Sequence, residues 1–246
     1  MNRTLVQRIK VWLGESKAKF LHRFGSNRTF ISLRSKPKVF ILGRNKTGTS
    51  TMKWLLYGHG YIMAEQYDTM PYLHDLANGR YDRIVEHGKL AEGFQDAPYS
   101  FADIGLLKAL TNAYPNAKYI LTVRKSPDVW WKSFEKWYYQ FWNLPNREKT
   151  TWEELESVPT VSWFNQTHLP SILQEMVIPK KDDLPYDKRR NVENYLKHNK
   201  MVEDFFALHP QYQFFKLCLG EDDTMKKLSN FLGFKVKYLP HANKNR

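Results

Sequence analysis

"KVFILGRNKTGTSTM", residues 38 to 52, is the stretch from which the fold is read. Its apolar run, Val39 to Leu42, is short and continuous, as a strand buried on both faces should be. Gly43 ends the run. A polar turn follows, carrying Lys46, Gly48 and the hydroxyls of Thr47, Thr49, Ser50 and Thr51. A helix is expected from about Thr49 to Tyr57, stopped by Gly58 and Gly60. Such a turn presents backbone N–H groups and the positive end of a helix dipole. Gly48 lets the backbone come close to a ligand. With the charge of Lys46 and the hydroxyl donors, the combination suits a phosphate-type anion. It departs from the standard triphosphate loop, in which lysine directly follows the second glycine. Here Lys46 stands two residues before Gly48. The plainer alternative is a strand–turn–helix with a hydroxyl N-cap.

The same pattern recurs along the chain. "GYIMA" (60–64) and "AEGFQ" (91–95) are expected strands, the second ending at Asp96. Residues 69–88 suggest one or two helices broken near Gly79. "SFADIGLLKALTNAYP" has helical spacing and a serine at its start, and stops at Pro115. "KYILTV" (118–123) is a buried strand. "SPDVWWKSFEKWYYQFW" opens a helix with Ser126 as N-cap, Pro127 in the first turn and Asp128 at the positive end. Residues 187–208 are expected to be helical, "YQFFKL" (212–217) a strand, and "EDDTMKKLSNFLG" a helix closed by Gly233. Apolar strands alternating with helices imply an α/β fold: a central parallel sheet covered by helices on both faces.

At 246 residues, with 42% apolar and 15% aromatic residues, the chain can bury a substantial core in one large domain. That domain is expected over residues 37–246, with an irregular, proline-punctuated inserted segment at 143–186. Cys218 is the single cysteine, so no intrachain disulfide framework forms, and it reads as a buried apolar filler. The eight histidines show no metal-ligand spacing, and no metal is expected. No run is long enough for a membrane span, and no secretory h-region is present. A soluble, cytoplasmic protein is the expectation. The net charge is +13, and residues 1–36 carry +8 of it. Leu5, Ile9, Trp12, Leu13, Phe20, Leu21 and Phe24 recur there at helical spacing. This basic amphipathic arm fits a helix packed on its own domain, or a peripheral contact with an anionic membrane. A basic module for nucleic acid or membranes is the non-enzymatic reading, and no nucleic-acid partner is expected.

In an open parallel sheet, ligands bind at the C-terminal ends of the strands. Three strand ends are chemically unusual: the Lys46 loop, Asp96 in "FQDAP", and Arg124 in "LTVRKSPDVWWKS". An arginine beside a capped helix start is a natural phosphate site, and Ser133 lies further along that helix. The structural alternative for Arg124 is a surface pair with Asp128 or another acid. Asp96 is a candidate base, with a turn or cap role as its alternative and Glu65, Glu92 and His59 as rivals. The aromatics of residues 130–142 occupy more than one helical face and read mainly as packing.

Two of these motifs together resemble the sulfotransferases that use 3′-phosphoadenosine 5′-phosphosulfate (PAPS) and release the bisphosphate PAP. "KTGTST" after a strand looks like their 5′-phosphosulfate loop, and "ILTVRKSPDVWWKS" like their 3′-phosphate motif. The similarity runs from about Lys38 to Ser133 and continues more weakly through "YQFFKL" and "FLGFKVKYLPHANKNR". It implies a P-loop-like three-layer architecture and sulfuryl transfer to a hydroxyl or amine acceptor, a small molecule, glycan or lipid-linked glycan. It also implies donor contacts from Lys46, Thr47, Gly48, Thr49, Ser50, Thr51, Arg124 and Ser133, with Lys46 and Asp96 catalytic. The sequence departs from the pattern in four places. Asp96 stands where cytosolic members usually have histidine, Thr51 where they have an adenine-stacking tryptophan, the step from Arg124 to Ser133 is one residue longer, and the glycine-rich basic segment near the C-terminus of cytosolic members is absent. A nucleotide or small-molecule kinase is the competing enzyme class, with Asp96 as its metal-holding acid.

Overall fold

A computed structural model describes residues 36–65, 72–142, 149–157, 184 and 186–240. The basic arm up to residue 35, most of the irregular segment 143–186 and the C-terminal "HANKNR" lie outside the described residues. Of that segment, only a short helix, α6 (Trp152–Ser157), and a few flanking residues are described. Among the described residues, no helix is long and apolar enough to cross a membrane.

Four strands form one sheet: β1 (Val39–Ile41), β2 (Gly93–Phe94), β3 (Lys118–Val123) and β4 (Gln213–Cys218). All pairs are parallel, and the order is β2-β1-β3-β4. The chain leaves β1 in one direction to form β2, then returns to the other side of β1 for β3 and β4. The topological switch therefore lies between β1 and β3, where an open α/β sheet parts to admit a ligand.

β1, β2 and most of β3 are apolar because they alternate between two buried faces, whereas the edge strand β4 exposes Gln213 and Lys216. Phe40, Leu42, Phe94, Tyr119, Leu121 and Val123 face one core, shared with helices α2 (Tyr72–Ala77), α3 (Asp82–His87), α4 (Ile104–Ala113) and α7 (Lys188–Leu208). Val39, Ile41, Ile120 and Leu217 face the other, against α1 (Thr49–Gly58) and α8 (Thr224–Leu232). The result is the three-layer α/β/α arrangement that the motif order implies. Register is marked by aromatics. Phe40 stands opposite both Phe94 and Tyr119, and its ring stacks on theirs at 4.7 and 5.5 Å. A one-residue slip would send each ring to the opposite face. A third cluster joins α5 (Pro127–Trp142) to α7 through Trp130, Trp131, Phe134, Tyr186 and Tyr195.

Several local expectations are corrected. "GYIMA" supplies only a bridge, Met63 to Gly93, rather than a strand. The strand expected at 91–95 is the two-residue β2. Ser100 does not cap α4. It is fully buried in a 3-10 turn at Tyr99–Phe101, and Asp103 caps the helix by accepting from Leu106 N–H at 2.7 Å. Cys218 ends β4 and is half-buried rather than buried. Elsewhere the reading holds: Ser126 Oγ accepts from Val129 N–H at the start of α5, and Gly233 closes α8 with φ +82°.

Because Phe40 is fully buried and touches rings on both neighbouring strands, Phe40→Ala should destabilise the protein by about 3–5 kcal/mol. Phe40→Leu should cost less than half of that. Denaturant unfolding of the two variants checks the ratio.

Candidate active site

The loop after β1 is held from below and from both sides. Beneath it, His198 of α7 is buried, and its Nε2 lies 2.8 Å from the Leu42 carbonyl. A carbonyl only accepts, so Nε2 carries the proton. Burial, reinforced by the positive charge of Arg44, holds the imidazole neutral by lowering its pKa to about 3. Gly43 sits against β3 so closely that a Cβ there would overlap the Thr122 hydroxyl. Thr47 is fully buried, and its hydroxyl bonds the Arg44 carbonyl at 2.5 Å and the Thr122 hydroxyl at 2.7 Å. Of the hydroxyls assigned to a ligand by sequence, that of Thr47 is thus committed to tying the loop to β3. Thr49 is also buried, whereas Ser50 and Thr51 keep partial exposure.

Gly48 is the N-cap of α1, and no side chain caps the helix. This overturns the plain hydroxyl-cap alternative. No acidic residue occupies the first turn, so nothing within it offsets the positive end of the dipole. Gly48 has φ +110°, a conformation that favours glycine, and a Cβ there would also push aside the end of the Leu219 side chain.

Lys46 adopts φ +70°, a left-handed conformation that costs an ordinary side chain on the order of 1–2 kcal/mol. Tertiary bonds hold it there. Arg124 Nε donates to the Lys46 carbonyl at 2.6 Å, and Trp130 Nε1 donates to the Asn45 carbonyl at 3.0 Å. Arg124 N–H in turn donates to the Tyr195 hydroxyl at 3.1 Å. Trp130 stacks on Tyr195 with centroids 4.4 Å apart and planes within 4°. The Lys46 ammonium lies 4.6 Å from the centre of the Trp137 ring. Burial, then the charge of Arg124, pulls its pKa down to about 8, while Asp96 acts in the opposite sense. Arg124 Nη2 reaches Ser133 Oγ at 3.4 Å, so the two residues of the second motif do converge. Asp128, one of the acids that could have paired with Arg124, instead pairs with Lys188 at 2.8 Å.

Asp96 follows β2 with φ +60°, a second side chain held in the left-handed region. Such positions gather at functional sites because the surroundings must enforce them. Burial pushes its carboxyl up to about 6, against a hydrogen bond from Gln95 and the charges of Lys53 and Lys46. The rival bases are placed otherwise. Both oxygens of Glu92 accept backbone N–H groups, from Lys36 at 3.1 Å and Ile62 at 3.0 Å. His59 caps the far end of α1 and bonds the Leu55 carbonyl at 2.8 Å. Glu65 is paired with Lys53 and Tyr57. Among the described residues, no group of three or more His, Cys, Asp or Glu gathers to hold a metal.

Lys46, at the switch point above an uncapped helix start, feels the charges of both Arg124, from the end of β3, and Asp96, from the end of β2. The arrangement can neutralise an anion and accept a proton beside it. Sequence reasoning set aside Trp130 and Trp137, which position the loop and cover the lysine. Their spacing carried a signal: they stand three before and four after Ser133, on the face that Ser133 shares.

A family model described as a sulfotransferase domain matches residues 38–246, most of the chain. A search among curated proteins returned no match.

Trp130→Phe keeps a ring against Tyr195 but removes the only donor that the indole offers to the loop. The Asn45 carbonyl then loses this bond, at a cost of about 1–2 kcal/mol. Denaturant unfolding should show that loss, with hydrogen exchange rising in the 43–48 loop rather than in β3.

Proposed function

The chain belongs to the sulfotransferase family and transfers sulfate, and on that premise we propose that it moves a sulfuryl group from PAPS to a hydroxyl or amine acceptor, with glycans and lipid-linked glycans within the class. The observation that carries the reading is the meeting of Lys46 and Arg124 across the β1–β3 crevice, joined by the 2.6 Å hydrogen bond. PAPS has an anionic group at each end of one adenosine. The residues suit such a ligand: an uncapped helix N-terminus with Lys46 at one point, and a guanidinium with Ser133 at the other.

When bound, PAPS supplies the sulfuryl group and a bisphosphate leaving group. The chain's own residues do the rest by position and charge, as in phosphoryl transfer. Lys46 neutralises negative charge that builds on the leaving oxygen. The N–H groups of Gly48 and Thr49 and the hydroxyls of Ser50 and Thr51 line the same anion. Arg124 spends Nε on the Lys46 carbonyl and presents its outer edge, beside Ser133, to the 3′-phosphate. Asp96 accepts the acceptor's proton at its carboxylate. A carboxyl with a pKa of about 6 is a stronger base than an ordinary aspartate and is still mostly ionised at neutral pH.

Thermal shift with PAP alone, compared with ATP and Mg²⁺, tests the donor class. Stabilisation by PAP without metal is expected, and stabilisation only by ATP and Mg²⁺ would sink the reading. Arg124→Ala should weaken PAP at least tenfold. Lys46→Ala should lower kcat by two orders of magnitude or more while changing PAP affinity far less.

The pH profile has a defined sign. Below about pH 6 Asp96 gains a proton and cannot accept another, and above about pH 8 Lys46 loses its charge. In kcat/KM for the donor, which reports the free enzyme, both limbs should appear. In kcat the alkaline limb should move upward, because a bound anion favours the charged lysine.

A further inference from the structure

The bond from Arg124 fixes the backbone of Lys46 but not its charge. A lysine carries its ammonium at the end of four methylene groups, and that stem keeps its rotamer freedom wherever nothing meets it. Among the described residues, the group that meets this ammonium is a ring rather than a carboxylate. Lys46 Nζ stands over Trp137, 4.6 Å from the centre of the ring. Lys46 and Trp137 are both half-buried, so the contact is partly shielded from water.

The ring comes from a helix that is itself pinned to the site. Trp130, Ser133 and Trp137 follow one another on α5 at intervals of three and four, which puts them on one stripe. Each meets the loop or the arginine that ties it. Trp130 Nε1 donates to the Asn45 carbonyl at 3.0 Å, Ser133 Oγ accepts from Arg124 Nη2 at 3.4 Å, and Trp137 lies against the Lys46 ammonium. Trp130 is also buried and stacked on Tyr195 of α7, and at the start of the helix Asp128 pairs with Lys188. The aromatics that α5 gives to the third core cluster, Trp130, Trp131 and Phe134, are buried, whereas Trp137 stays partly exposed.

A ring differs from a carboxylate as a partner for this lysine. The face of an indole attracts a cation through its quadrupole, more strongly than a phenyl or phenol ring does. It carries no net charge, so it holds the ammonium without neutralising it, and it takes one side only. The N–H donors on the other side are left for an anion. A carboxylate in the same place would pair with the lysine and repel an anionic donor. We propose that Trp137 is a positioning residue for the transfer reaction: its ring holds the Lys46 ammonium by one side and keeps that contact when the donor's anion takes the other. The role rests on the reading of Lys46 as the charge at the leaving oxygen.

The test has an equilibrium arm and a kinetic arm, both on the full chain. In the first, the tryptophans are replaced by 5-fluorotryptophan, and the Trp137 fluorine signal is identified by its loss in Trp137→Phe. Lys46→Met should displace that signal, and the displacement should persist at saturating PAP. A displacement that vanishes when PAP binds shows the ammonium leaving the ring and overturns the proposal. In the second arm, turnover is followed as PAP released from PAPS with water as acceptor. Trp137→Leu should lower it about tenfold while changing PAP affinity by less than about threefold, and Trp137→Phe, with the weaker ring, should fall between. In a Lys46→Met background the leucine change should lower turnover by less than about twofold. Equal losses in the two backgrounds make Trp137 a packing residue and overturn the role. The phenylalanine variant gives the same comparison should the leucine variant fail to fold. A wild-type chain that shows no thermal shift with PAP removes the donor reading and this role with it, whereas a chain that binds PAP but fails either arm loses the role of Trp137 alone.

Discussion

The hydrogen bond from Arg124 to the Lys46 carbonyl is the constraint on which the site depends. It crosses from the end of β3 to the loop after β1, the two strands between which the chain reverses its direction of winding. It also stabilises a backbone conformation that lysine would not choose alone. One arginine thereby performs two tasks. Its inner nitrogen fixes the shape of the loop, and its outer edge faces Ser133 and the crevice. The geometry explains why guanidinium rather than ammonium stands here. A rigid fork can serve two directions at once, and a single point charge cannot.

The site gathers positive charge in a partly dehydrated place, and that arrangement is costly by itself. Burial and mutual repulsion already pull Lys46 toward its neutral form, and Asp96 resists this. An anion would relieve the same repulsion. The aromatic cover supplied by Trp137 offers the ammonium a weaker substitute for such a partner. Affinity for an anion is thus stored in the crowded charge of the loop, rather than in any one contact.

Much of the fold was legible because its central strands are buried on both faces. Val39 to Leu42 and Tyr119 to Leu121 are apolar runs too short for helices and too continuous for surface strands. β2 was less legible because only two residues pair, and their neighbours are held by a single bridge. The serine start of α4 misled, since Ser100 is a good cap by composition but lies buried one turn too early. At the site, Lys46, Gly48 and Arg124 were readable from residue type beside strand ends. Thr47 was not separable from the hydroxyls around it, because its bond to Thr122 joins residues 75 positions apart. The grouping of Lys53, Tyr57 and Glu65 depends on the Met63 bridge, a long-range contact without local signature.

The order of the strands has a consequence for how the molecule comes into being. β1 is made first, but its two neighbours begin only at Gly93 and Lys118, and the Tyr195 hydroxyl that secures Arg124 comes later still. A ribosome must deliver most of the polypeptide before the crevice has two walls. Until then the loop that carries Arg44, Lys46 and Gly48 lacks the β3 wall that shapes it. Partial products of synthesis or proteolysis should therefore lack the two-walled crevice, whose closing is a late step of assembly.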